Sequence, residues 1–181
     1  MDLTRALEQI LVPPPAGPAP VDGDRFTEAM ACLPAGTTVV ATDGPGGRFG
    51  QTVTAVCSVT ADPPSVLFCI RETSPLHRAV GENGCFSVNV LAADQRGLAD
   101  TFAGRGLPTG TAYGFDDGWR PGRSGAPVRP DTAASLDCVL AFRIRVGTHC
   151  VCLGHVVAAG TGGGEALTYG RRSYGRHHPV P

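Results

Sequence analysis

The sequence predicts a mainly β fold: a small barrel with short flanking α-helices. Three observations lead there. Chain punctuation is heavy, with 25 Gly and 16 Pro in 181 residues, which suits many turns and short strands better than a bundle of long helices. Strand-like segments alternate with only a few helical ones, and no steady βαβ rhythm links them. One segment also alternates strictly. Leu136, Cys138, Leu140, Phe142, Ile144 and Val146 interleave with Asp137, Val139, Ala141, Arg143 and Arg145, the period of two that defines a half-buried strand.

The elements follow in order. Leu3, Leu7, Ile10 and Leu11 recur at helical spacing, which predicts a short N-terminal helix. PPPAGPAP at positions 13–20 is a stiff extended arm. The compact domain is expected from Asp24 to the end, with residues 1–23 as helix and arm. Asp24 is expected to cap a helix carrying Phe26, Met30 and Leu33 on one face. TTVVATD at 37–43 reads as a strand, Gly44–Gly47 as its turn, and 48–60 as one partner segment. SVLFCIR at 65–71 is a further strand. Ser74-Pro75 carries the cap and first-turn signature of a helix that closes around Gly81–Gly84. CFSVNVL at 85–91 is a strand, and Asp94 is expected to cap a helix burying Leu98 and Phe102. Residues 105–129 are polar and rich in Gly and Pro around Trp119, a lid or a wrap. The alternating strand comes next, then strands over 149–159 and 166–169, then a basic tail.

Composition excludes several classes of function. The formal net charge of -1 provides no footprint for nucleic acid. No apolar run is long enough for a secretory signal or a membrane span. Seven cysteines, an odd number set mostly in apolar segments, read as buried thiols of a cytoplasmic protein. Cys150-Val151-Cys152 with His149 and His155 lacks a second ligand pair, so no metal site is expected. All 15 basic residues are Arg. Schiff-base and P-loop lysine chemistry are therefore absent. No GxGxxG opens a helix after a strand, and no GxSxG elbow is present. The stretch GQTVTAVCSVTADPP at 50–64 remains. Its hydroxyls and backbone N–H groups can hold a phosphate or a flat heterocycle, although Thr also simply favours strands.

Three runs together carry a family resemblance: FTEAMACLPAGTTVVAT (26–42), GQTVTAVCSVTADPPSVLFCI (50–70) and FSVNVLAADQRGLADTFAG (86–104). GTHCVCLGHV (147–156) and LTYGRRSYGRHHPV (167–180) extend it. The chain resembles the flavin reductase-like family, most of all the reductase component of hydroxyphenylacetate monooxygenase and related short-chain reductases. The resemblance implies a Greek-key-like split β-barrel of the FMN-binding type, usually a homodimer. It implies a reductase that passes a hydride from NADH or NADPH to FAD or FMN and supplies free reduced flavin to a separate monooxygenase or halogenase. NADH and FAD are the favoured pair on this resemblance. A flavin carrier or sensor on the same scaffold is the alternative.

The resemblance also implies site residues. Gly50, Gln51, Thr52, Thr54 and Ala55 line the flavin ring, with Ser58 further along the same segment. Cys69, Ile70 and Arg71 run past the flavin phosphate. Ser74, at a helix start, offers N–H groups to that phosphate. Phe102 and Ala103 meet the far part of the cofactor. His149 stands near the nicotinamide as the tentative catalytic group, in a Gly147-Thr148-His149 motif that lacks the family's acidic middle residue. Arg172 and Tyr174 close the site. Each also has a plain reading: His149 as a surface histidine, Arg172 as solvated charge and Cys69 as a packing group.

Overall fold

The computed structural model describes residues 17–105 and 114–178. The expected N-terminal helix over 3–11 and the first part of the Pro-rich arm lie outside these residues. The chain forms two compact units that divide between Cys32 and Leu33. The first contains helix α1 (Gly23–Ala31). Its cap is Asp22, not the expected Asp24. The Asp22 carboxylate accepts the N–H groups of Asp24 and Arg25 at 3.1 and 3.0 Å, which leaves Asp24 as a first-turn acid favoured by the helix dipole.

The second unit opens on β1 (Ala35–Gly36) and β2 (Thr38–Thr42). The expected single partner segment over 48–60 is two strands, β3 (Phe49–Val53) and β4 (Val56–Ala61), broken at Thr54-Ala55. Then come β5 (Pro64–Arg71), helix α2 (Pro75–Asn83), β6 (Cys85–Val90) and helix α3 (Arg96–Phe102). The hairpin strands β7 (Arg120–Pro121) and β8 (Pro127–Val128) precede the long pair β9 (Ala134–Val146) and β10 (His149–Thr161). Strands β11 (Leu167–Gly170) and β12 (Ser173–Arg176) end the fold. Seven strands form one antiparallel sheet in the order β3-β2-β6-β9-β10-β5-β4.

That order explains the barrel. Strands β3 and β4 are the two edges of the sheet, yet only Thr54 and Ala55 join them. Three Cα–Cα steps reach about 11 Å at most. The sheet must therefore curl until its edges meet at that link, and the barrel is split there. Strand β2 is buried along its whole length because both its faces are covered. Val40 packs inward with Phe68 and Phe86, while Val39 and Ala41 pack outward against Phe102 and Trp119.

Helix α2 matches its sequence signature. The Ser74 hydroxyl accepts the Leu76 N–H at 3.2 Å, Pro75 takes the first turn, and Gly84 ends the helix at φ 68°. Helix α3 departs from expectation, since Asp94 does not cap it. Gln95 holds the cap position, and its side-chain oxygen accepts the Ala92 N–H at 2.9 Å. A turn over Ala92–Gln95 delays the helix by one residue. The described part of the 105–129 excursion is a wrap. Phe115 and Trp119 clasp Phe102, with ring centroids 5.1 and 5.4 Å from it and 5.1 Å from each other.

The alternating strand β9 is interrupted. Its register with β10 runs Gly154 to Leu140 and then Leu153 to Phe142, a bulge at Ala141. One extra residue swaps the faces of everything beyond it. Cys138 stays in the core, but Phe142 and Val146 turn outward, 50% and 59% exposed. In exchange, Arg143 turns toward α2 and donates to the His77 carbonyl at 3.1 Å. The tail forms strand β12, which the sequence does not announce. Its two-residue turn uses Arg171 and Arg172 at φ 48° and 61°, where Asn-Gly is the usual signal.

All seven cysteines are free. Burial pushes the Cys138 and Cys152 thiols from 9.0 up to about 12. The unfolded chain releases these protons near pH 9, and the folded chain holds them until about pH 12. Their stabilising effect is complete below pH 9 and is lost as pH rises toward 12. Urea midpoints are expected to fall from pH 9 upward, and more gently in a Cys138→Ala, Cys152→Ala variant. Parallel declines would show that these thiols do not set the alkaline limit. No helix among the described residues is long and apolar enough to cross a membrane.

Candidate active site

The split between the barrel's edges opens a cleft of about 220 Å3. It is lined by Gln51, Thr52, Val53, Thr54 and Ala55 from the β3–β4 link, by Cys69, Ile70 and Arg71 from the end of β5, and by His149 at the start of β10. The topology brings these three segments together. The Cys69 N–H donates to the Ala55 carbonyl at 2.9 Å, and His149 lies directly across from Arg71 in the β10–β5 register.

Strand alternation sorts the β3 side chains. Gly50 and Thr52 face α3, and the Thr52 hydroxyl donates to the Ala99 carbonyl at 2.7 Å. A Cβ on Gly50 would sit 2.5 Å from Phe102 Cε1, so Phe102 supports the cleft wall from behind. Gln51 faces the start of α2, where the Ser74 hydroxyl donates to its Oε1 at 2.7 Å.

His149 is set by a two-residue hairpin turn, Gly147-Thr148, with Gly147 at φ 58°. Thr148 Oγ1 and His149 Nδ1 are 3.0 Å apart. The turn is tied down by Glu72, whose N–H donates to the Thr148 carbonyl at 3.1 Å and whose carboxylate pairs with Arg145 at 3.2 Å. Arg71 forms no ion pair among the described residues, which leaves a cation available at the cleft. Burial raises the Cys69 thiol above its ordinary range, with nearby Cys57 and Cys150 adding to the shift. Both effects favour the protonated thiol.

Eight of the expected site residues thus share one cleft: Gln51, Thr52, Thr54, Ala55, Cys69, Ile70, Arg71 and His149. Gly50 and Phe102 lie on the α3 side of β3, and Ser74 meets Gln51 on the α2 side. Ala103 is exposed at the end of α3. Ser58 points away from the cleft, into an apolar hollow of about 450 Å3 farther along β4. Arg172 and Tyr174 belong to the β11–β12 hairpin and do not line the cleft. The Tyr174 hydroxyl donates to Asp100 at 2.9 Å, clamping that hairpin to α3. Ser74 corrects its expectation. Its own N–H donates to Arg71, the Leu76 N–H to its hydroxyl and the His77 N–H to its carbonyl, and Pro75 has none. The first turn of α2 has no N–H left for a phosphate. Val53 is a lining residue that residue type did not single out, being an ordinary strand valine.

The barrel's edges thus frame a narrow cleft that combines threonine hydroxyls and strand backbone with Gln51, His149 and an arginine that forms no ion pair among the described residues. A family model, the flavin reductase like domain, matches residues 30–178. The chain belongs to this family. FMN reductase (NADH) RutF from Ancylobacter novellus is 41% identical over 156 residues, covering 85% of this chain and 84% of that protein. Among solved structures, the NADH:FAD oxidoreductase SgcE6 from Streptomyces globisporus superposes with a TM-score of 0.78 at 29% identity, over 92% of this chain and 100% of its own. BorF, the flavin reductase component of a bacterial two-component tryptophan halogenase, superposes with a TM-score of 0.77 at 28% identity, over 86% of this chain and 98% of its own.

Proposed function

We propose that this protein is an NADH-dependent flavin reductase that takes FMN and hands reduced flavin to a separate oxygenase or halogenase. The observation that carries this reading is the convergence of Gln51–Ala55, Cys69–Arg71 and His149 on one cleft in a chain of the flavin reductase like domain family. FMN and NADH are favoured over FAD and NADPH by the 41% identical FMN reductase (NADH).

The residues present fit a flavin. Backbone and small side chains allow close approach to a flat ring, and Arg71 offers a charge for a phosphate. When bound, the two cofactors supply the chemistry, a hydride passing from nicotinamide to flavin. The chain's part is to bind, align and exclude. Thr52 Oγ is committed to Ala99, which fixes the wall. His149, steered by Thr148, orients the nicotinamide. No protein nucleophile is needed, which agrees with a chain that lacks lysine.

Purified protein mixed with NADH and FMN is expected to consume NADH only when flavin is present. Flavin binding without NADH oxidation would make the protein a carrier instead. His149→Ala is expected to lower kcat/KM for NADH on the order of 10-fold to 100-fold with flavin affinity retained. Unchanged NADH kinetics would remove His149 from the site.

The reading includes a homodimer. The bulge in β9 places Phe142 and Val146 on an outer face beside Val139, all at least 44% exposed, and such a contiguous apolar stripe is characteristic of a contact surface. Sedimentation is expected to report twice the chain's 18.6 kDa.

A further inference from the structure

Ser74 does two things with one hydroxyl. It accepts the Leu76 N–H at 3.2 Å, capping α2, and it donates its only hydrogen to Gln51 Oε1 at 2.7 Å. Ser74 is 9% exposed, so little water competes for that bond. Because an amide has an oxygen end and a nitrogen end, fixing the oxygen also fixes the nitrogen. Gln51 Oε1 is held toward α2. Its Nε2, with two N–H groups, has no hydrogen-bond partner among the described residues. It is not among their buried unsatisfied atoms either, so it is not sealed from solvent, and Gln51 lines the cleft.

We propose that Ser74 is a positioning residue that turns the Gln51 amide so that its N–H donors face the cleft, where they read a hydrogen-bond acceptor of the bound flavin. This rests on the flavin reading above. It assigns α2 a role other than phosphate binding through its N-terminus, whose N–H groups are already used. The two neighbouring cleft groups are arranged differently: Thr52 Oγ donates to Ala99, and His149 Nδ1 faces Thr148. Gln51 is therefore a neutral donor for this wall, beside the charged donor Arg71 and the Thr54 hydroxyl.

The test is flavin affinity without nicotinamide, read by fluorescence quenching with riboflavin and with FMN. Gln51→Leu removes the donor and is expected to raise Kd about 10-fold, the scale of one buried hydrogen bond lost. Ser74→Thr keeps both functions of the hydroxyl and is expected to bind as the parent does. Ser74→Asp keeps the cap, since Asp is among the preferred N-cap residues, but can only accept from Gln51. The amide then reverses, its oxygen faces the cleft, and Kd is expected to rise about 10-fold at an unchanged melting temperature. In a Gln51→Leu background, Ser74→Asp is expected to add nothing.

If riboflavin and FMN weaken together, the acceptor lies on the ring. If only FMN weakens, it is the phosphate. Either result supports the assignment. Two results overturn it: parental affinity in Gln51→Leu, or the same loss from Ser74→Asp with and without Gln51, which would mean that added charge alone is acting. If the parent protein binds neither flavin, the functional reading itself fails, and the inference falls with it.

Discussion

Gly50→Val is expected to lower the melting temperature by about 9 °C, corresponding to about 3 kcal/mol for a chain of this size, and to abolish flavin binding. A Cβ at position 50 would lie 2.5 and 2.8 Å from two carbons of the Phe102 ring and 3.1 Å from Phe115. Real side chains do not approach this closely, so something must move. Phe102 cannot move easily: it is 1% exposed and held edge-on by both Phe115 and Trp119. Strand β3 is an edge strand, paired only with β2 within the sheet, so it is the element that gives way. Displacing β3 moves Gln51 and Thr52 away from Arg71 and opens the cleft. Shrinking the obstruction should reverse part of the effect. Gly50→Val with Phe102→Leu is expected to be more stable than the sum of the two single changes predicts. Simple additivity in thermal melts would show that the ring and the glycine do not oppose each other.

Arg71→Ala is expected to raise Kd for FMN about 10-fold to 100-fold while leaving riboflavin, which lacks the phosphate, nearly unchanged. A hydrogen bond to a charged group contributes about 1.5–3 kcal/mol, and no carboxylate among the described residues competes for this guanidinium. Arg71→Lys should recover part of the affinity, because a point charge replaces a fork of donors. Added salt should weaken FMN binding in the parent and much less in Arg71→Ala. Equal losses for riboflavin and FMN in calorimetric titrations would move the phosphate elsewhere.

The legible parts of this protein were the local ones. Ser74-Pro75 and Gly84 announce α2 because capping is a matter of neighbouring residues. TTVVATD and CFSVNVL announce β2 and β6 because strand preference and burial act within a few positions. Eight cleft residues followed from the family resemblance of three short runs. The failures are also physical. Asp22 displaced Asp24 because neighbouring acids at that helix start compete for the same N–H groups, and Gln95 displaced Asp94 because a turn over Ala92–Gln95 precedes α3. Strand β12 went unseen because two arginines occupy a turn that usually signals itself with Asn-Gly. The perfect alternation of Leu136–Val146 suggested one buried face, and a single bulge divided it between core and surface.

By itself, then, the sequence determined the mainly β class, most of the strand and helix segments and the absence of lysine chemistry, while the residues of the cleft came from a family resemblance. Local propensity and pattern suffice for the segments, since each depends on residues near one another in the chain. Only the tertiary structure decided that 48–60 is two strands on opposite edges of one sheet, and that their two-residue link makes a cleft. It also brought the Ser74 hydroxyl against Gln51 and used up the N–H groups of the helix terminus that Ser74 caps. These outcomes depend on contacts between Ala55 and Cys69, Gln51 and Ser74, and Gly50 and Phe102. Such pairs meet only when the whole sheet has curled, and no spacing along the chain encodes them.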